Sequence, residues 1–136
     1  MTENTVLVLD DNWYNRDIFR MALESAEYNI TEAENGEQGL AILKERTFDL
    51  LILDLQMPQL DGIQVLKRLR QDERHKHMRV LVVTANPHMA TEDVNILADH
   101  IMMKPVDIVS FARFTTRLKS AFQKNVSRVC LTQSCQ

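Results

Sequence analysis

The 136-residue chain lacks several features that would commit it to large classes of protein. It has no excess of basic charge: 16 Lys and Arg stand against 19 Asp and Glu, giving a formal net charge of −3 and a pI near 5.8. Nothing therefore draws it generally to nucleic acid or to an anionic membrane, and a role on DNA would have to come through a partner. No apolar stretch approaches the roughly 20 residues that span a bilayer, and the N-terminus has no signal-peptide pattern. The expectation is a soluble, cytoplasmic protein with no direct contact to nucleic acid or membrane. The only two cysteines, Cys130 and Cys135, lie close together in a polar tail. They are too few and too local for a disulfide framework or a complete metal site, and read as reduced thiols. There is no internal repeat, no low-complexity tract and no linker. At 45% hydrophobic residues, one domain of this length can bury a core of its own.

What is present is an alternation. Five short apolar runs, Thr5 to Leu9, Asn29 to Ala33, Leu50 to Leu53, Val80 to Val83 and His100 to Met103, are separated by longer segments with helical period. That order implies βαβ units and a parallel sheet covered by helices on both faces. Runs such as Val80-Leu81-Val82-Val83 are apolar at every position, as a strand buried on both sides requires. The helical segments are Asn15 to Ala26, with Ile18, Ala22 and Ser25 or Ala26 inward; Gly36 to Arg46, with Leu40 and Leu43; and Ile63 to Arg70, with Ile63, Leu66 and Leu69. A fourth helix is expected over Met89 to Ala98. The last carries the clearest stripe: Ile108, Phe111, Thr115, Leu118 and Phe122.

Three carboxylates sit where these strands end. Asp10-Asp11 follows the first run and Asp54 the third, the positions at which open α/β sheets present ligands. Converging anions repel one another and push at least one pKa upward, so a hard divalent cation held by oxygen ligands completes the arrangement, and Mg2+ is the expected ion. Taken singly, each residue has an ordinary role: Asp11-Asn12 can cap a helix, Thr84 can end a strand, Lys104 can be a surface charge, and Pro105 can open the last helix.

Taken together, Asp10-Asp11, Asp54, Thr84-Ala85 and Lys104-Pro105, in that order and at those strand ends, resemble the receiver domains of two-component response regulators. The resemblance runs from about Thr5 to Phe122, and Asn15-Arg16, Asn35-Gly36, Gln56-Met57-Pro58 and Asp61-Gly62 are similar to receivers attached to hybrid kinases and phosphorelays. It implies a flavodoxin-like, doubly wound (βα)5 fold with strand order 2-1-3-4-5, a receiver domain over residues 1–124 and a frayed polar tail over 125–136. It also implies a phosphorylation switch rather than a metabolic enzyme. Asp54 would attack a phosphoryl group in line to make an acyl phosphate, with Asp11 and Asp54 as direct metal ligands, Asp10 acting through water, and the backbone carbonyl of Gln56 completing the set. Lys104 would pair with Asp54 and then with a phosphoryl oxygen, and Thr84 would donate to another. A cis Lys104-Pro105 bond is implied as well. The expected partners are a sensor histidine kinase or histidine phosphotransfer protein as donor and a downstream output protein, with a possible homodimer through the face of the fourth helix, fifth strand and last helix, where Phe114 lies at the stripe's margin.

The chain departs from the family at Ile101, where receivers commonly carry an aromatic that moves as the threonine shifts. The loop Leu97-Ala98-Asp99-His100 lacks the usual glycine, and Met102-Met103 read as soft core residues. Gly62 is expected to give its loop conformational freedom, and Trp13, two residues past Asp11, to sit half exposed at the site's rim. Two other classes fit poorly. A haloacid-dehalogenase-type phosphatase needs a second acid two residues after the nucleophile, where this chain has Gln56. A flavodoxin-like cofactor binder must cradle phosphate in its first loop, where Asp10-Asp11 would repel it.

Overall fold

The computed structural model describes residues 4–119. Strands β1 (Thr5–Leu9), β2 (Asn29–Ala33), β3 (Leu50–Asp54), β4 (Arg79–Thr84) and β5 (His100–Met103) form one parallel sheet in the order β2-β1-β3-β4-β5, the order expected. Helices α1 (Trp13–Ser25), α2 (Gly36–Glu45), α3 (Gly62–Arg70) and α4 (Glu92–Leu97) alternate with them. Helical residues 108–119 form α5. The expected polar tail, with both cysteines, and Phe122 lie outside the described residues.

Because side chains alternate across a strand, the apolar runs divide between two cores. Leu7, Leu9, Leu51, Leu53, Val80 and Val82 face Leu43 of α2, Val65, Leu66 and Leu69 of α3 and Val94 of α4. Val6, Val8, Leu50, Ile52, Leu81 and Val83 face Phe19, Ala22 and Leu23 of α1 and Phe111 and Leu118 of α5. The central strand β3 is buried along its whole length.

Two helix faces keep most of their expected inward residues and differ at single positions. In α1 the buried residues are Phe19, Ala22 and Leu23, with Ala26 at the cap, while Ile18 is half-buried and Ser25 exposed. The larger Phe19 wins the inward position by packing on Phe111 at 5.1 Å between ring centroids. In α5, Phe111, Thr115 and Leu118 are buried as expected, but Ile108, in the first turn, is 36% exposed. The buried Thr115 hydroxyl is satisfied by donating to the Phe111 carbonyl at 2.9 Å. Helix α4 starts at Glu92 instead of Met89: Pro87 opens a separate 3-10 turn, Pro87–Met89, capped by the Asn86 side chain, and Ala90 leaves helical geometry. Trp13 is 70% exposed, beyond the half expected, because it opens α1 on its solvent side. Met102 packs at the edge of the α1/α5 core, but Met103 is exposed and does not belong to a core.

Candidate functional site

All five strands point their carboxyl ends to one edge, and the acidic residues meet there. The Asp10 amide still bonds to the Ala33 carbonyl at 3.3 Å, so Asp10 is held as a continuation of β1. Its carboxylate, 1% exposed, accepts from the Asn12 amide at 2.9 Å and from Lys104 Nζ at 3.0 Å. The ordinary capping role falls to Asn12, whose side chain accepts from the amides of Tyr14 and Asn15. That division keeps Asp10 at the floor and sets Asp11, exposed, at the mouth.

Asp54 closes β3 and is 5% exposed. One carboxylate oxygen accepts from the Gln56 amide at 3.1 Å, and the other lies 3.4 Å from Lys104 Nζ. Burial, first, and the charge of Asp10, second, raise its pKa to about 6 from the usual 3.8, against the opposing pull of Lys104 and the Gln56 amide. One ammonium thus serves two buried carboxylates, and it lies nearer Asp10 than Asp54.

The loop beyond Asp54 is pressed against the strand it leaves. The Gly62 amide donates to the Leu55 carbonyl at 2.9 Å, and a Cβ at residue 62 would stand 2.3 Å from the Asp54 carbonyl oxygen and 2.6 Å from Leu55 Cα. Glycine is required there by close approach, not by conformational freedom, since the left-handed backbone in this loop belongs to Gln59, at φ 65°. Asp61 caps α3 in a reciprocal pair with Gln64, fixing the far end of the loop.

Lys104 is placed from β5: its amide donates to the Thr84 carbonyl at 3.0 Å, and the Lys104-Pro105 peptide is cis, as the resemblance implied. Thr84 is fully buried at the end of β4. Its hydroxyl accepts from the Asn86 amide at 3.1 Å and donates to the Asn86 carbonyl at a long 3.4 Å, so it is turned to its own loop. Ile101 faces the α2–α4 side with Met89 and Leu97.

Ligand oxygens of Asp10, Asp11 and Asp54 all lie within 4.8 Å of one another. An all-oxygen, carboxylate donor set with an uncompensated negative charge suits a hard divalent cation. The cleft above them, about 530 Å³, is lined by Asp11, Asn15, Asp54, Gln56 and Lys104 among others. Of the residues read from the sequence, the fold therefore gathers Asp10, Asp11, Asp54, Gln56 and Lys104, while Thr84 stands behind the cleft wall. Sequence reasoning missed the part played by Arg16, which donates from Nη1 to the Asp10 carbonyl at 2.7 Å; the sequence shows Arg16 but no period or spacing that ties it to Asp10.

The response regulator receiver domain family matches residues 6–119, and the chain belongs to that family. It is 33% identical over 81 residues to the polar-differentiation response regulator DivK of Brucella anthropi, covering 60% of this chain and 66% of DivK. It is 31% identical over 126 residues to the phosphate regulon transcriptional regulatory protein PhoB of Pseudomonas aeruginosa, covering 91% of this chain and 54% of PhoB. The chain thus spans between half and two thirds of the length of these relatives. Among solved structures, the receiver domain of the Pseudomonas aeruginosa sensor histidine kinase PA1611, with magnesium coordinated in its active-site cleft, superposes with a TM-score of 0.74 at 21% identity, over 85% of this chain and 97% of that one. Among the described residues no helix is long and apolar enough to cross a membrane.

Proposed function

We propose that the chain is a phosphoacceptor switch in which Asp54 receives a phosphoryl group from a phosphohistidine on a sensor histidine kinase or histidine phosphotransfer protein in the cytoplasm. The observation that carries this reading is Lys104 Nζ held between the carboxylates of Asp10 and Asp54, 3.0 and 3.4 Å away, at the floor of an open acidic cleft. An Asp54 oxygen attacks phosphorus, the phosphorus–nitrogen bond of the donor breaks, and the electron pair stays on the imidazole, leaving an acyl phosphate. In the separate release step, water attacks phosphorus, the bond between phosphorus and the Asp54 oxygen breaks, and a proton passes to solvent, returning the Asp54 carboxylate and inorganic phosphate.

Asp10, Asp11, Asp54 and the Gln56 carbonyl would hold Mg2+, which supplies charge neutralisation as two anionic partners approach. The magnesium in the PA1611 receiver and the donor set here both favour that ion. Lys104 follows the negative charge from carboxylate to phosphoryl oxygen. The Thr84 hydroxyl, held by a long bond to the Asn86 carbonyl, can leave it at little cost to donate to another phosphoryl oxygen. The signal then passes to an output partner or second copy through α4, β5 and α5, where Ile96 and Met103 are exposed. Phe114, half-buried and edge-on to His100 at 5.0 Å, is a core-edge residue of that face; Phe114→Ala should lower stability before it alters partner binding.

The test is mass spectrometry after treatment with a small acyl phosphate and Mg2+. One added phosphoryl group is expected, and none in Asp54→Asn. Incorporation persisting in that variant overturns the assignment.

A further inference from the structure

The carbonyl of Asp10 belongs to the peptide that joins the two acids at the cleft, so its direction fixes how the Asp11 side chain leaves the backbone. This carbonyl lies one residue beyond the last β1–β2 ladder pair, Leu9 with Ala33. A strand-end carbonyl needs a partner from elsewhere, and here it is a side chain from the first turn of α1. Arg16 Nη1 donates to it at 2.7 Å. The Arg16 side chain is only 14% exposed, and its Nε lies 3.4 Å from Glu32 Oε1 on β2; Arg20 Nε approaches the other Glu32 oxygen at 3.8 Å. The guanidinium is therefore anchored at both ends, to the backbone between the acids and to a carboxylate of the edge strand.

We propose that Arg16, braced by Glu32, is a positioning residue that orients the Asp10-Asp11 peptide and so aims Asp11 at the divalent cation. The inference rests on the metal-dependent reading above. The guanidinium suits this task better than an ammonium, because its planar fork donates in two fixed directions at once. Glu32 also keeps the charge of Arg16 compensated beside a site that must attract a cation. Residues that hold a metal ligand in place without touching the metal typically change affinity by about 10- to 100-fold when removed. A group that only satisfied a strand-end carbonyl would change stability and leave affinity alone.

The experiment is calorimetric Mg2+ titration of wild type, Arg16→Met and Glu32→Gln, each paired with urea unfolding in chelator to confirm that the protein is folded at the titration temperature. Arg16→Met keeps the packed stem and removes the donors. Its Mg2+ dissociation constant should rise about 10-fold. Glu32→Gln keeps the Arg16–Asp10 bond and releases the brace; a rise of about two- to threefold is expected, and it also serves as the test if Arg16→Met does not fold. Affinity within twofold of wild type in folded Arg16→Met, or unchanged in Glu32→Gln where only that variant folds, overturns the proposal. No binding by wild type would instead overturn the metal-dependent reading itself, so the two failures are distinguishable.

Discussion

The two edges of the sheet use the same residue types to opposite ends. At the amino ends of the strands, Asp99 accepts from the Val80 amide at 2.7 Å and from Arg70 Nη2 at 3.0 Å, with Arg79 at 3.6 Å. Arg70 in turn donates to the carbonyls of Leu97, His75 and Met78. Asp49 accepts from the Thr5 amide at 2.9 Å. Cations and donors there match or outnumber the carboxylates. At the carboxyl ends, three carboxylates converge and one lysine pairs with only two of them, Asp10 and Asp54, and Asp54 is pushed up to about 6. Saturated charge at one edge ties strands and helices together; unsaturated charge at the other is stress held in reserve for ions that arrive from solution.

The contrast predicts that Lys104 matters more than any cation at the opposite edge. Lys104→Ala leaves Asp10 and Asp54 buried without a counter-charge, a loss of about 3–5 kcal/mol in chelator by urea unfolding at neutral pH. Mg2+ should restore much of it, and phosphate should still enter from a small acyl phosphate. A loss below about 1 kcal/mol would mean that water already relieves the pair, and the contrast would fail.

Asp54 itself sharpens the comparison through pH. Because its folded pKa lies above its unfolded value, the folded state keeps a proton that the unfolded chain has released, so this group favours folding at low pH and that contribution is lost as pH rises from about 4 through about 6. The expected change is about 3 kcal/mol in chelator. Asp54→Asn should flatten that part of the stability profile, leaving the variant more stable than wild type near pH 7. A profile unaltered by the substitution would place the stress elsewhere.

At the saturated edge the expected effect is smaller. Arg70→Ala removes four hydrogen-bond acceptors' partner at once and should cost about 2 kcal/mol, since solvent can reach part of Asp99 and the freed carbonyls. Initial phosphorylation of Asp54 should be unchanged. Slower phosphorylation in a folded Arg70→Ala protein would show that the two edges are coupled.

How much of this was legible in the sequence follows the same division. Strands such as Val80 to Val83 announce themselves by unbroken apolar runs, and Asp10, Asp11, Asp54 and Lys104 by their place at strand ends. Contacts that depend on distance rather than pattern were not legible. Gly62 looked like a flexible residue because nothing local shows that Asp54's backbone lies against it, and Arg16 stood only as part of the Asn15-Arg16 pair, with no role assigned, because its target is a backbone carbonyl that no side-chain pattern marks. Phe19 displaced Ile18 from the core because Phe111, 92 positions away in the chain, fixes the fit. Periodicity places a helix face to within about one residue; only the opposing helix decides the last rotation.

The smallest expected effect separates local strain at the cleft from the same strain remote from it. Two non-glycine residues occupy the left-handed region, Glu27 at φ 62° and Gln59 at φ 65°. Glu27 follows the cap of α1, where its amide donates to the Glu24 carbonyl and the Tyr28 amide to the Leu23 carbonyl, the bonding of a helix C-terminus that ordinarily uses glycine. Gln59 sits in the loop that carries Gln56 and begins α3. Relief of left-handed strain is worth about 1 kcal/mol at each position, offset in part by the freedom glycine gains on unfolding. Glu27→Gly should therefore raise stability by up to about 1 kcal/mol with no change in phosphorylation rate. Gln59→Gly should give a similar gain but slow phosphate incorporation about two- to threefold, because the loop that presents the Gln56 amide to Asp54 becomes less fixed. Equal phosphorylation rates in both variants would show that the strain at Gln59 belongs to the turn alone and not to the site.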